Sequence, residues 1–355
     1  MIIRTLILLS PLVFLITNSL AKVSLPNIFG DHMVLQRDHE NPIWGTAKPG
    51  EVVSVSISEQ NHKTVANHEG KWRLYLEPLS AGGPHILKIQ AENTLIFDDV
   101  LVGEVWFCSG QSNMEWTVNN INHSEVELAT ATNSQIRLIT IAKNGTQIPQ
   151  DNIEGKWTAA TPQTVNNFSA VGFLFGKRLQ SALNVPIGLI DNSWGGSAAE
   201  AWVPREVLQQ NGLFDDYINT MDERCSQYTD EIHATKIAEF KNWEASGKPD
   251  PRLRWPNDPR YGQHRPANIY NGMLYPLRGY GIKGVIWYQG EANAKRDLAY
   301  VYRDRFLDMI NDWRDLFKNK DLPFLFVQLP NFQKPNPNPY NSSWAMLRES
   351  QLVVS

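Results

Sequence analysis

A chain of 355 residues with 42% hydrophobic and 20% charged residues has the composition of an ordinary globular protein, long enough for two cores. Its 33 basic and 37 acidic side chains leave a formal charge of −4, which offers no basic surface for nucleic acid. Two cysteines and eight scattered histidines give no metal-ligand spacing.

At the start, Arg4 precedes an apolar run at 6–16, and Ser19-Leu20-Ala21 places small residues at −3 and −1 of a cleavage site. This pattern predicts a signal peptide over 1–21 and an exported protein, periplasmic or extracellular. Ser10 and Pro11 interrupt the run, which is too short to span a bilayer, and no cysteine follows the cut to carry a lipid. No membrane anchor is expected.

Residues 22–98 read as a small antiparallel β-sandwich domain. Val52 to Ile57, Trp72 to Leu76 and Ile86 to Ile89 alternate with period two. Lys48-Pro49-Gly50 and Ala81-Gly82-Gly83-Pro84 are turn signals between them. From residue 99 onward the texture changes to apolar runs of parallel-sheet type, at 100–108, 186–190, 285–288 and 323–327. Helical stretches at 171–183 and 300–317 separate them, which predicts an α/β doubly wound parallel sheet over 99–355. A polar stretch at about 209–265 reads as an insertion over one face. In the strand 105–108 a buried free thiol is the commoner state for Cys108, and Cys225 is its only conceivable partner. Sequons begin at Asn122, Asn144, Asn167 and Asn341. The 12 tryptophans suit either a core or the stacking of sugar faces.

In an open α/β sheet, ligands bind beyond the carboxyl ends of the strands. Three such ends carry polar groups. Cys108 is followed by Ser109-Gly110-Gln111-Ser112-Asn113-Met114-Glu115, a strand, a glycine turn, a serine and a helix start. A serine so placed is exposed at the sheet top, as in a nucleophile elbow, although the G-x-S-x-G pattern is absent. Ser112 to Glu115 fits a helix capping box equally well. Ile190 leads into Asp191-Asn192-Ser193-Trp194-Gly195-Gly196-Ser197, where the glycines permit either a plain turn or a backbone N–H aimed at an oxyanion. A second capping box runs from Ser197 to Glu200. Tyr288-Gln289-Gly290-Glu291-Ala292-Asn293 follows the third strand, and Asn293 reads as an amide donor or a loop asparagine bonding its own backbone.

These three blocks resemble those of sialate O-acetylesterases, carbohydrate esterases of the SGNH hydrolase superfamily. Residues 29–37 (FGDHMVLQR), 270–273 (YNGM) and 347–351 (LRESQ) are similar to further family segments. The resemblance implies an SGNH-type, flavodoxin-like sheet and removal of O-acetyl groups from sialic acid or related sugars through an acyl-enzyme. Ser112 is then the nucleophile and a backbone oxyanion donor, Gly196 a second backbone donor, Asn293 a side-chain donor, and Glu291 a supporting residue. No cofactor or metal is implied. An acetylxylan-type polysaccharide esterase and a non-catalytic carbohydrate-binding protein are the alternatives. One departure stands out. The family's general base is a histidine in an Asp-x-x-His block beyond the third segment, whereas the last histidine here is His264. Asp230 to His233 has that spacing but falls in the insertion, and reads as coincidence. The chain is therefore expected to be truncated before its base.

Overall fold

The computed structural model describes residues 22–210, 212–247, 254–294, 299–332, 334 and 342–354; the expected signal peptide and Asn341 lie outside them. Period-two alternation produces the strands foreseen in the first part of the chain. In β3 (Val52–Ile57) the residues Val53, Val55 and Ile57 turn inward, and in β5 (Lys71–Leu76) Trp72, Leu74 and Leu76 do so. Strand β2 (Asn41–Thr46) pairs antiparallel with β5 as a separate two-stranded sheet. Strand β3 lies between β4 (Gln60–Val65) and β6 (Gly82–Gln90), and β6 continues onto β7 (Thr94–Gly110). The Gly82-Gly83-Pro84 segment, expected as a turn, instead opens β6. Gly83 lies so close to the neighbouring strand that a methyl group there would meet Val100 O at 2.9 Å.

Strand β7 joins the two kinds of sheet within one run of 17 residues. Its first six residues alternate between exposed and half-buried, and its last eleven, Val100 to Gly110, are all buried. The first pattern is that of an antiparallel sheet with one wet face, and the second that of a strand covered on both faces. The change occurs at Asp99, which has a left-handed backbone (φ 55°) beside a bulge in the β6–β7 register. The short strand β1 (Val34–Gln36) lies parallel against the middle of β7.

Beyond the bulge, β7 is central. Strand β10 (Ile187–Ser193) pairs parallel on one side of it and β11 (Gly284–Tyr288) on the other. Strand β8 (Asn133–Thr140) extends the sheet beyond β10, followed by the antiparallel β9 (Thr158–Ala160). Strand β12 (Phe324–Phe326) extends it beyond β11. The whole is a mixed parallel and antiparallel α/β sheet with the smaller two-stranded sheet beside it.

Alternate residues of β7 feed two cores. Phe107 packs edge-on against Trp313 of helix Tyr302–Leu316 at 5.7 Å, together with Val285, Trp287 and Phe306. Trp106 packs against Phe175 of helix Ala170–Leu183 at 4.8 Å, together with Cys108, Leu189 and Phe173. Each such aromatic contributes on the order of 2–3 kcal/mol by burial. Cys108 and Cys225 are both free and buried, and burial pushes the Cys108 thiol well above its ordinary pKa. The insertion forms helices Asp215–Ser226 and Asp230–Ala245, the second without a buried residue. Among the described residues no helix is long and apolar enough to cross a membrane.

Candidate active site

The three polar segments meet because their strands are neighbours in register. Ser193, Gly110 and Tyr288 stand opposite one another across β10, β7 and β11, so the residues after them emerge along one edge. Hydrogen bonds then lace the segments together. Trp194 N–H donates to Gly110 O at 3.0 Å, and Gln111 N–H to Tyr288 O at 2.9 Å. The buried Gln111 side chain accepts from the N–H groups of Gly290 and Ala292, each at 3.2 Å. Gly110 has φ 139°, and a methyl group on it would sit 2.2 Å from Tyr288 O, so only glycine fits this close approach.

Ser112 is exposed at the first position of the short helix Ser112–Glu115. The capping-box reading fails on geometry: Gln111 occupies the cap position, without a side-chain cap bond. The Glu115 carboxylate instead accepts from Gly195 N–H and from Lys143 Nζ. That bond draws the 195–196 turn over the serine, and a methyl group on Gly195 would lie 3.7 Å from Ser112 Cβ. Gly196 has φ 72°, again a glycine conformation. Among the described residues, the Ser112 hydroxyl, the Ser112 N–H and the Gly196 N–H make no hydrogen bond. Two backbone donors thus stand unengaged beside an unengaged hydroxyl, the arrangement that an oxyanion needs. Gln263 braces the turn from outside: its Nε2 donates to Gly195 O at 3.3 Å and its carbonyl accepts from Ala198 N–H at 3.2 Å.

Asn293 is placed differently. It is 1% exposed, and its Nδ2 lies 3.0 Å from both oxygens of Glu200. Its Oδ1 accepts from Ala199 N–H at 3.0 Å and from Gln289 Nε2 at 2.8 Å. Gln289 is engaged in turn by Ser197 O and the Tyr302 hydroxyl. Arg305 completes this floor, 3.7 Å from Glu200, with its guanidinium 3.2 Å above the Phe214 ring. Asn293 therefore bonds neither its own backbone nor a group beside Ser112. The second capping box is not formed either, since Ser197 Oγ accepts from Trp202 Nε1 at 3.0 Å and Glu200 faces Asn293. Glu291 accepts from Asn113 Nδ2 at 2.5 Å, which ties the segment after β11 to the serine helix.

Below Glu115 lies a second carboxyl group, Asp191 at the end of β10. Burial raises its pKa to about 7, against a 2.6 Å hydrogen bond from Ser193 Oγ and reinforced by the charge on Glu115. Gln111, Glu115, Lys143, Glu200 and Gln263 were not singled out from sequence as site residues, and for most of them no local pattern announces a long-range bond. Gln111 carried a signal, since it sits between the turn glycine and the serine.

Two Asp–His combinations among the described residues could be taken for an acid–base pair, and neither lies at this edge. His233 Nδ1 faces the Tyr228 hydroxyl at 3.1 Å, while Asp230 takes Arg260 at 2.6 Å, so the Asp230–His233 spacing forms no pair. His32 Nδ1 lies 2.7 Å from Asp99, at the bulge of β7.

Residues 102–235 and 257–354 match the family described as carbohydrate esterase, sialic acid-specific acetylesterase. The chain is 33% identical over 341 residues to the sialate O-acetylesterase of Mus musculus, spanning 87% of this chain and 60% of that protein. With the sialate O-acetylesterase of Homo sapiens it shares 30% identity over 326 residues, spanning 84% and 55%. A crystal structure of a carbohydrate acetylesterase from Xanthomonas citri superimposes with a TM-score of 0.77 at 35% identity, covering 94% of this chain and 66% of the other. The chain thus spans less than two thirds of each of these relatives. On the profile match and these identities together, the chain belongs to the sialic acid-specific carbohydrate acetylesterase family.

Proposed function

We propose that this chain carries the nucleophile half of a serine esterase that removes O-acetyl groups from sialic acid or a related sugar. The observation that carries the reading is the exposed Ser112 hydroxyl beside two unengaged backbone donors, Ser112 N–H and Gly196 N–H. Ser112 Oγ attacks the acetyl carbonyl carbon, and the developing oxyanion is held by those two N–H groups. The tetrahedral intermediate collapses with departure of the sugar oxygen, which takes up a proton. Water then hydrolyses the acetyl-enzyme, releasing acetate and regenerating Ser112.

Asn293 enters as a positioning residue and not as the oxyanion donor that the family resemblance implies, because its amide is engaged by Glu200. Glu291 likewise acts by holding Asn113. The proton acceptor is read as a histidine supplied from outside these 355 residues. Without it the serine loses most of its acceleration, while the oxyanion donors retain some. Residues 99–355 are read as the SGNH-type doubly wound hydrolase domain, with 22–98 as a β-sandwich domain and 1–21 as the export signal of a periplasmic or extracellular protein.

A fluorophosphonate probe tests the nucleophile. Labelling of the wild-type chain, lost in Ser112→Ala, is the expected result; equal labelling of both would overturn it. The base is tested by His233→Ala and His264→Ala, each expected to leave aryl-acetate turnover unchanged. Loss of turnover in either would place the base within this chain. Acetylated sialosides set against acetyl-xylan distinguish the sugar classes.

A further inference from the structure

The 22–98 region contains a cavity that the esterase reading leaves unused. It has a volume of about 490 Å³ and opens between the two-stranded sheet β2–β5 and the loops carrying Asp151 and Arg278. It shares no lining residue with the Ser112 site. Trp44 and Trp72 line it, and both indole N–H groups are buried without a hydrogen-bond partner.

The charges lining the cavity have one predominant sign. Three are cationic, Lys71, Arg73 and Arg278, and the single carboxylate, Asp151, is paired with Arg278 at 2.6 Å. Arg73 differs from Arg278 in having no acid. Its guanidinium is stacked on Trp44, 4.9 Å from the ring centroid, and makes no hydrogen bond or ion pair among the described residues. Arg73 and Trp44 are cross-strand partners, so the pairing of β2 with β5 fixes both on one face of the sheet. A planar fork held flat by an aromatic ring and lacking a carboxylate is prepared for bidentate capture of one. Trp44 beside it adds apolar surface at the border of the cavity, against which the apolar face of a sugar ring can pack.

We infer that this cavity is an accessory, non-catalytic binding site for a carboxylate-bearing sugar residue, with Arg73 taking the carboxylate and Trp44, on the same face of the sheet, bordering the ring. The inference does not depend on the esterase reading. A site here would tether an acidic glycan while another residue of it is presented to Ser112.

The test is calorimetric titration of the full chain with the methyl glycoside of N-acetylneuraminic acid, which carries no O-acetyl group to hydrolyse. Methyl galactoside serves as the neutral control and galacturonic acid as a second acid. Both acids are expected to bind, the neutral sugar at least tenfold more weakly. Arg73→Ala is expected to weaken acid binding at least tenfold while fluorophosphonate labelling of Ser112 stays unchanged, and Ser112→Ala is expected to bind as the wild type does. Arg73→Lys, which retains charge and stem but lacks the fork, guards against a variant that fails to fold and is expected to fall between the two. No binding by the wild type, equal binding of the neutral sugar, or wild-type affinity in both Arg73 variants would overturn the inference. Loss of binding in Ser112→Ala would also overturn it, because the ligand would then sit in the esterase site.

Discussion

The bulge and the carboxyl end of β7 carry opposite parts of a hydrolase's equipment. At Asp99, by the bulge, a carboxylate holds both His32, at 2.7 Å, and Arg137, at 2.6 Å, and Arg137 keeps the Asp99 carboxyl below its ordinary pKa. At the carboxyl end, Ser112 stands exposed beside unengaged N–H groups, and no histidine follows it in the adjoining strand-end segments. The acid–histidine pair and the serine are separated by the eleven buried residues of the strand, roughly 35 Å at extended spacing. An Asp–His pair is thus a general base only by position. By His32 it is a partly exposed hydrogen-bonded contact that joins the antiparallel and parallel parts of the sheet.

The comparison is broken or sharpened by five changes. Ser112→Ala is expected to abolish fluorophosphonate labelling and the imidazole-dependent part of aryl-acetate turnover, with unfolding unaltered. Gly196→Ala forces a side chain into a left-handed conformation and disturbs the second donor, with about 10²-fold loss of turnover expected and a small loss of stability. In Asn293→Asp a carboxylate faces Glu200 where an amide now donates to it, which is expected to destabilise the fold by about 3 kcal/mol in urea unfolding. Loss of turnover without loss of stability in that variant would return Asn293 to the oxyanion hole.

Asp191→Asn addresses the floor below Glu115. The folded-state pKa of Asp191, about 7, lies above the unfolded value of 3.8. Between those limits the unfolded chain releases a proton that the folded chain retains. Stability accordingly falls as pH rises from about 4 to about 7, and then levels. The variant lacks this decline and is expected to gain about 4 kcal/mol relative to the wild type at pH 8 compared with pH 4, by urea unfolding. Asp312, shifted in the same direction, still titrates in both proteins. The smallest effect belongs to His32→Ala, with turnover unchanged and stability lowered by less than about 1 kcal/mol.

Much of this site was legible in the sequence, because apolar runs ending in polar residues mark strand ends whatever the strand order. Runs at 100–108, 186–190 and 285–288 became β7, β10 and β11, and their trailing residues are the site. That these three strands are neighbours was not legible, since order in a sheet is set by long-range pairing and the chain visits β8 and β9 between β7 and β10. The local alternatives for Ser112 and Ser197 were reasonable at the level of four-residue patterns. They fail because Glu115 and Glu200 find distant partners, Gly195 and Asn293, that compete with the local cap. The same limit hid the role of Gln111, whose two acceptor bonds reach about 180 residues along the chain. The boundary at residues 98–99 was visible as a change of texture. One strand crosses it, because a bulge converts a one-sided strand into a two-sided one without a break in pairing.

The central proposal is that Ser112 is the nucleophile and that no base stands beside it among the described residues. It is tested most directly by aryl-acetate hydrolysis with added imidazole, after subtraction of the enzyme-free rate, with mass analysis of the quenched protein. The account predicts imidazole-dependent turnover and a single acetyl group on the peptide containing Ser112, both absent in Ser112→Ala. Turnover or acetylation that persists in Ser112→Ala would contradict it.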